Sequence, residues 1–153
     1  MDDDLEALTD VVLLASRALV AVASRSIAAV DDAVTLPQFR ALVVLDQLGG
    51  ACRVGDLGAE LRIQPSTATR LCDRLVRRGL VERAVDPANR REVTVTLSAQ
   101  GREVLDAVTV IRRREIAAIV AKVPPAQRAT IVEGLAAFRD AAGPDLAGPT
   151  VPW

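Results

Sequence analysis

The sequence predicts a mainly α fold that carries one small β-hairpin. Three observations predict it. Apolar residues recur at spacings of three and four over most of the 153 residues, the period of an amphipathic helix. Only Leu80–Val85 and Glu92–Leu97 have the β-branched content of strands, and Val93, Val95 and Leu97 alternate with Thr94 and Thr96 in period two. Prolines and glycines fall where helices start and stop: Pro37, Pro65 and Pro125 at starts, Gly49, Gly79 and Gly143 at ends.

Residues 2–30 read as one long helix. Leu5, Leu8, Val12, Ala15, Leu19 and Val22 form one apolar stripe; Val11, Leu14, Ala18 and Ala21 form a second on an adjacent face. A helix apolar on two faces needs two things to pack against. Its own domain supplies one, and a partner subunit is a natural second. After a break at Asp31–Thr35, Thr35 and Gln38 have the spacing of a capping box, with Pro37 in the first turn. That helix runs to about Leu48. Ala51–Val54 is one short edge strand, and Val54–Leu61 a short helix with its turn at Arg62-Ile63-Gln64. Pro65 opens the next helix, which ends before Gly79. After the hairpin, Ser98 caps a long helix over Ala99–Val123. Pro124-Pro125 separates it from a last helix in which Ile131, Leu135, Phe138 and Ala142 recur at helical spacing. Residues 144–153, rich in Pro and Gly, read as a loosely ordered tail.

Composition narrows the function. Half the residues are hydrophobic but only Phe39, Phe138 and Trp153 are aromatic, so the core must be aliphatic. No apolar run approaches the roughly 18 residues of a bilayer span. The start, Met1-Asp2-Asp3-Asp4, is acidic where a secretory signal is basic. A cytoplasmic chain with no membrane partner is expected. There is no histidine, which removes the usual catalytic triad, and "GGACRVG" matches no nucleotide-binding fingerprint. Cys52 and Cys72 cannot complete a usual zinc site by themselves. The acidic groups Asp2–Asp4 and Asp31-Asp32 read as solvated helix ends. No enzyme activity, metal or cofactor is expected.

The formal net charge of −1 hides an asymmetry. Residues 1–50 carry three basic and eight acidic side chains, whereas Arg62–Arg91 holds eight arginines against Asp73, Glu82 and Asp86. One basic segment in a near-neutral chain points to a localised anionic partner. All its basic residues are Arg, which makes planar bidentate contacts to phosphate and guanine that Lys cannot.

On a helical wheel, Ala68, Leu71, Cys72, Leu75 and Val76 share one sector of the Pro65–Arg78 helix. Ser66, Arg70, Asp73, Arg74 and Arg77 lie opposite, with Thr67, Thr69 and Arg78 on the flanks. The apolar face anchors the helix. The other face offers short hydroxyls in the first turn and arginines behind them, the chemistry that a second helix of a helix–turn–helix presents to base edges and phosphates. With the following hairpin, whose tip carries Arg90-Arg91, the order is that of a winged helix bracketed by long terminal helices.

At this level the chain resembles the MarR (multiple antibiotic resistance regulator) family of bacterial transcription factors. The residues that carry the likeness are Leu36-Pro37-Gln38, "VGDLGAELRIQPSTATRLCDRLVRRGLVER" and "DPANRREVTVTLSAQG". The resemblance implies a winged helix–turn–helix DNA-binding region over 35–98 and dimerisation helices over 1–34 and 99–143. It also implies a homodimer on double-stranded DNA and a small-molecule effector. By position, Ser66, Thr67, Thr69 and Arg70 match the recognition-helix contacts, and Arg91 the minor-groove arginine. Arg74, Arg77 and Arg83 match phosphate contacts, and Arg90 a phosphate contact or solvated neighbour. Asn89 stands where the family has the Asp that braces the wing arginine; it can accept a hydrogen bond but supplies no charge, and Asp86 is the candidate substitute. Gly58 stands where a helix former is expected. The expected function is a ligand-responsive repressor on a pseudo-palindromic operator. The alternatives are a redox-responsive regulator acting through Cys52 or Cys72, the former with a pKa expected to be lowered by the adjacent Arg53, and a winged-helix module that contacts protein without a DNA target.

Overall fold

The computed structural model describes residues 3–85 and 87–143. Asp86 and the tail at 144–153 lie outside the described residues. The chain divides into two compact units, Met1–Arg112 and Arg113–Trp153.

The first unit opens with α1 (Asp3–Val30). Only its C-terminal part is covered by the unit's own core, through Val22, Ala23, Ser26 and Ile27; Leu5, Leu8, Val11, Leu14 and Leu19 are exposed. This corrects the expectation that the chain's own domain covers one of the two stripes: of their residues only Val22 is buried. A second expectation is corrected too. By length and composition α1 could cross a membrane, because Ala, Val and Leu outweigh Arg17 and the few polar residues when averaged along the helix.

α2 (Leu36–Gln47) begins with the expected capping box: the Gln38 backbone N–H donates to Thr35 Oγ1 at 3.4 Å, and the Thr35 N–H donates to Gln38 Oε1 at 2.9 Å. Phe39, Ala41, Leu42, Val43 and Leu45 put the middle of the helix into the core. Burying each large aliphatic or Phe side chain is worth about 1.5–3 kcal/mol. α3 (Val54–Leu61) follows at the expected bounds, and β1 (Ala51–Arg53) and α4 (Pro65–Arg77) each end one residue earlier than expected.

Gly58 has a packing reason that sequence did not reveal. A Cβ there would stand 3.0 Å from Ala68 Cβ, so the missing side chain lets α3 pack closely on α4. The turn between them passes through Arg62 in the left-handed region, φ 53°.

β2 (Val81–Val85) and β3 (Val93–Leu97) form the hairpin, each one residue shorter than expected. β1 joins it in an antiparallel sheet of order β1-β3-β2, with Cys52 and Arg83 both opposite Val95. The period-two pattern sends Val95 into the core, fully buried, while Thr96 is exposed.

α5 (Ala99–Val120) starts at a tight junction. Ser98 Oγ donates to the Gly79 carbonyl at 2.6 Å and accepts the Gly101 N–H at 2.9 Å. The Ser98 N–H donates to the Leu80 carbonyl at 3.2 Å. One serine thus caps a helix and ties it to the end of α4. The helix ends three residues earlier than the expected Val123, with i→i+3 bonds tightening residues 120–123.

The second unit holds the end of α5 and α6 (Pro125–Ala142), which stops at Gly143 as expected. Ile131, Val132, Leu135 and Phe138 on α6 are exposed.

Candidate nucleic-acid interface

α4 is held by its apolar face. Ala68, Cys72 and Leu75 are buried and Leu71 and Val76 half-buried, as the wheel predicts. Ser66, Thr67, Thr69, Arg70, Arg74 and Arg77 are all exposed. The helix starts with Pro65 at its first position, the Thr67 and Ala68 N–H groups both donate to the Gln64 carbonyl at 2.9 Å, and a helix start favours a nearby phosphate. Thr69 Oγ1 donates to the Pro65 carbonyl at 3.0 Å, and Arg70 Nε to the Ser66 carbonyl at 3.3 Å. The Thr69 oxygen therefore remains an acceptor, matched to an exocyclic amine on adenine or cytosine. The Arg70 terminal nitrogens remain available to an anion.

Two residues of the wheel have partners that sequence did not reveal. Asp73, in the middle of the outward face, accepts from Arg83 Nη1 of β2 at 2.8 Å. Arg83, matched to a phosphate contact, thus has one nitrogen committed to a strut between wing and α4. Arg78, just past the end of α4, donates through Nη2 to Asp31 Oδ2 at 2.6 Å. That pair joins the end of α4 to the loop after α1. A further ion pair, Arg53–Glu92 at 3.2 Å, ties the start of α3 to the far end of the wing loop.

In the wing loop Asn89, Arg90 and Arg91 are exposed. Asn89 Oδ1 accepts the backbone N–H of Arg91 at 3.2 Å, and its carbonyl accepts the Glu92 N–H at 2.8 Å. Asn89 therefore fixes the backbone of Arg91, a role that needs an acceptor but no charge. The candidate substitute, Asp86, lies outside the described residues.

The thiols differ from what a switch needs. Burial, with Asp56 adding to it, raises the Cys52 pKa. Cys52 was expected to be lowered by Arg53, but that guanidinium is turned to Glu92. Burial pushes Cys72 up to about 11, with Cys52 and Asp73 adding to it. Roughly one Cys72 in ten thousand is then thiolate at pH 7, and the thiolate is the reactive form. No group of three or more His, Cys, Asp or Glu side chains fit to hold a metal ion occurs among the described residues.

A helix–turn–helix with a three-stranded sheet and an arginine-tipped wing defines the class: a winged-helix domain with long flanking helices. Residues 34–93 match the MarR family. RV1404 from Mycobacterium tuberculosis is 44% identical, with a TM-score of 0.81 over 90% of this chain and 94% of that one. BpsR of Bordetella bronchiseptica, a structure concerned with regulation of its DNA binding by 6-hydroxynicotinic acid, is 29% identical, with a TM-score of 0.62 over 86% of this chain and 92% of that one. The uncharacterized HTH-type transcriptional regulator YsmB of Bacillus subtilis is 39% identical over 83 residues, which span 54% of this chain and about half (56%) of YsmB. The chain belongs to the MarR family.

Proposed function

We propose that this protein is a DNA-binding transcriptional regulator that acts as a homodimer and represses from a pseudo-palindromic operator until a small molecule releases it. The observation that carries the DNA reading is the outward face of α4. Ser66, Thr67, Thr69, Arg70, Arg74 and Arg77 are all exposed on a helix whose other face is locked into the core.

In this reading α4 enters the major groove. Ser66, Thr67 and Thr69 approach base edges, and Arg70, Arg74 and Arg77 meet bases or phosphates. Arg91 enters the adjacent minor groove, where a narrow A·T tract concentrates negative potential. Arg90 meets a phosphate. The exposed apolar side chains of α1 and α6 support the dimer, since single-chain burial leaves them in water. Two half-sites must then meet successive major grooves about 34 Å apart. A ligand that changes the separation of the two α4 helices lowers affinity, provided it discriminates the states by about 1–3 kcal/mol. The likeness to BpsR supports a small aromatic acid as the effector class.

The test begins by selecting bound fragments from genomic DNA to obtain the operator. Arg91→Ala is expected to weaken operator binding about tenfold or more, in the range of a lost groove-reading arginine. Wild-type affinity in Arg91→Ala would refute the wing assignment. Failure to enrich any fragment would refute the DNA reading. A monomer by sedimentation at micromolar concentration would refute the dimer.

A further inference from the structure

α4 lies between two grooves of different electrical character, one neutral and one positive. The groove on the wing side, about 420 Å³, is lined by Arg53, Arg83 and Arg91 and by Asp56, Asp73 and Glu92. Three guanidinium groups face three carboxylates, a formal net charge of zero. Two of those arginines are already paired, Arg83 with Asp73 and Arg53 with Glu92. The groove on the other side, about 460 Å³, lies between α4, the turn before it and the start of α2. Its charged lining is Arg40, Arg70 and Arg74, with no carboxylate, a formal net charge of +3.

Arg40 is the unexpected member. It is the one exposed side chain between Gln38 and Val43 on a helix otherwise turned into the core. It forms no side-chain hydrogen bond or ion pair among the described residues, and neither does Arg74. The one such bond of Arg70 goes to its own helix. Converging, uncompensated guanidinium groups repel one another, and a polyanion relieves that repulsion. The floor beneath them is apolar (Leu36, Pro37, Leu61, Ile63 and Leu71), a surface suited to the sugar faces between phosphates.

We infer that the α2-side groove seats a DNA backbone strand, and that Arg40 is a phosphate-positioning residue of this protein. The inference rests on the DNA reading above and goes beyond it. The backbone contact extends past the helix–turn–helix pair onto α2. The two flanks of α4 also divide the work: electrostatic anchoring on the α2 side, and a neutralised, strutted wing on the other. A helix in the major groove has one DNA strand on each side, so an anchor on α2 and a wing on β2–β3 meet different strands.

The experiment measures affinity for a double-stranded oligonucleotide of mixed sequence as a function of salt, because phosphate contacts are independent of sequence. Each phosphate neutralised contributes about 0.9 to the slope of log K against log salt, or roughly 3.5-fold in affinity between 50 and 200 mM. Arg40→Gln is expected to lose one such contribution, with unchanged thermal stability because its guanidinium has no partner among the described residues. Arg40→Lys, which keeps the charge, is expected to retain the slope. Arg102→Gln is the control, since Arg102 is already neutralised by Asp46 at 2.7 Å, and is expected to match wild type. Wild-type binding with an unaltered slope in Arg40→Gln overturns this inference and leaves the DNA reading intact. An equal loss in Arg102→Gln also overturns it, because the effect would then be one of net charge. No binding by the wild type overturns both.

Discussion

Adding a methyl group at Gly101 tests whether the junction between α4, β2 and α5 is as tightly specified as its geometry implies. A Cβ on Gly101 would stand 2.1 Å from the Leu80 carbonyl oxygen, 2.8 Å from Leu97 Cδ1 and 3.1 Å from the Leu80 carbonyl carbon. The nearest atom is backbone and cannot swing away. That carbonyl accepts the Ser98 N–H, and the Leu80 side chain is fully buried. Relief requires the start of α5 to move, which stretches the 2.9 Å bond from Gly101 N to Ser98 Oγ and the 2.6 Å bond from Ser98 Oγ to the Gly79 carbonyl. Overpacking of this kind costs about 1–3 kcal/mol, and a weakened hydrogen bond adds about 1 kcal/mol. The better helix propensity of Ala returns ~1 kcal/mol. The net expectation for Gly101→Ala is a loss of about 1–3 kcal/mol. At roughly 2–4 °C per kcal/mol for a chain of this size, the midpoint falls by about 2–12 °C. Gly134→Ala is the matched control: nothing lies within 4 Å of its added Cβ, so only propensity acts and the protein gains about 0.5–1 kcal/mol. Denaturant unfolding followed by circular dichroism, at one protein concentration, measures both. Gly101→Ala as stable as wild type would refute the reasoning.

Three further outcomes are expected. Arg78→Ala should destabilise more than Arg78→Lys: Lys can keep the charge pairing with Asp31, and it removes an Nε that is buried without a hydrogen-bond partner. The pair is partly exposed, so a double-mutant cycle with Asp31→Ala should give a coupling of only about 1 kcal/mol; zero coupling would remove the strut. Cys72 has a folded pKa raised from 9.0 to about 11. Its stabilising contribution is therefore complete below about pH 9 and is lost as pH rises towards 11, because the unfolded thiol ionises first. Cys72→Ala should flatten the fall in unfolding free energy across that window, and an unchanged slope would contradict the burial argument. Arg62→Gly should gain less than the roughly 1 kcal/mol that relief of φ 53° alone is worth, because Arg62 has a partner within the chain; a full gain of about 1 kcal/mol, read from the unfolding midpoint, would show that this partner contributes nothing.

The legible parts of the fold were those written locally. Thr35 and Gln38 announce the capping box, Pro65 the start of α4, and Val93–Leu97 the alternating strand, because each depends on neighbours within a turn. The wheel over 65–78 separates Ala68, Cys72 and Leu75 from Arg70, Arg74 and Arg77 for the same reason. What stayed hidden depends on pairs distant in sequence. Asp31 and Arg78 meet across 47 residues, and nothing local distinguishes Asp31 from its neighbour Asp32. Arg83 reads as one more basic residue until β2 is laid beside α4 and Asp73 comes within reach. Cys52 sits next to Arg53 in the chain, yet adjacent side chains on a strand point to opposite faces, so sequence proximity gave the wrong sign for its pKa. Gly58 reads as a helix-weakening residue when its reason is a neighbouring helix a few ångströms away.

These distant pairs decide how a regulator of this construction can respond. α4 is fixed at its end by Arg78–Asp31 and by the Ser98 bond to the Gly79 carbonyl, and on its flank by Asp73–Arg83. The wing is fixed by that same strut and by Arg53–Glu92. Each tie is modest, but together they oppose rotation of α4 relative to β2 and β3. Deforming the reading head would break several at once, whereas displacing it as a body breaks few of them. The exception is Arg78–Asp31, which joins the head to the loop that ends α1. A dimer in which α1 is the subunit contact would carry any change in its packing to α4 through that pair. A ligand acting on the dimer helices would thus shift the position of an intact head. Weakening the pair by Asp31→Ala should reduce the response to ligand more than it reduces binding to DNA.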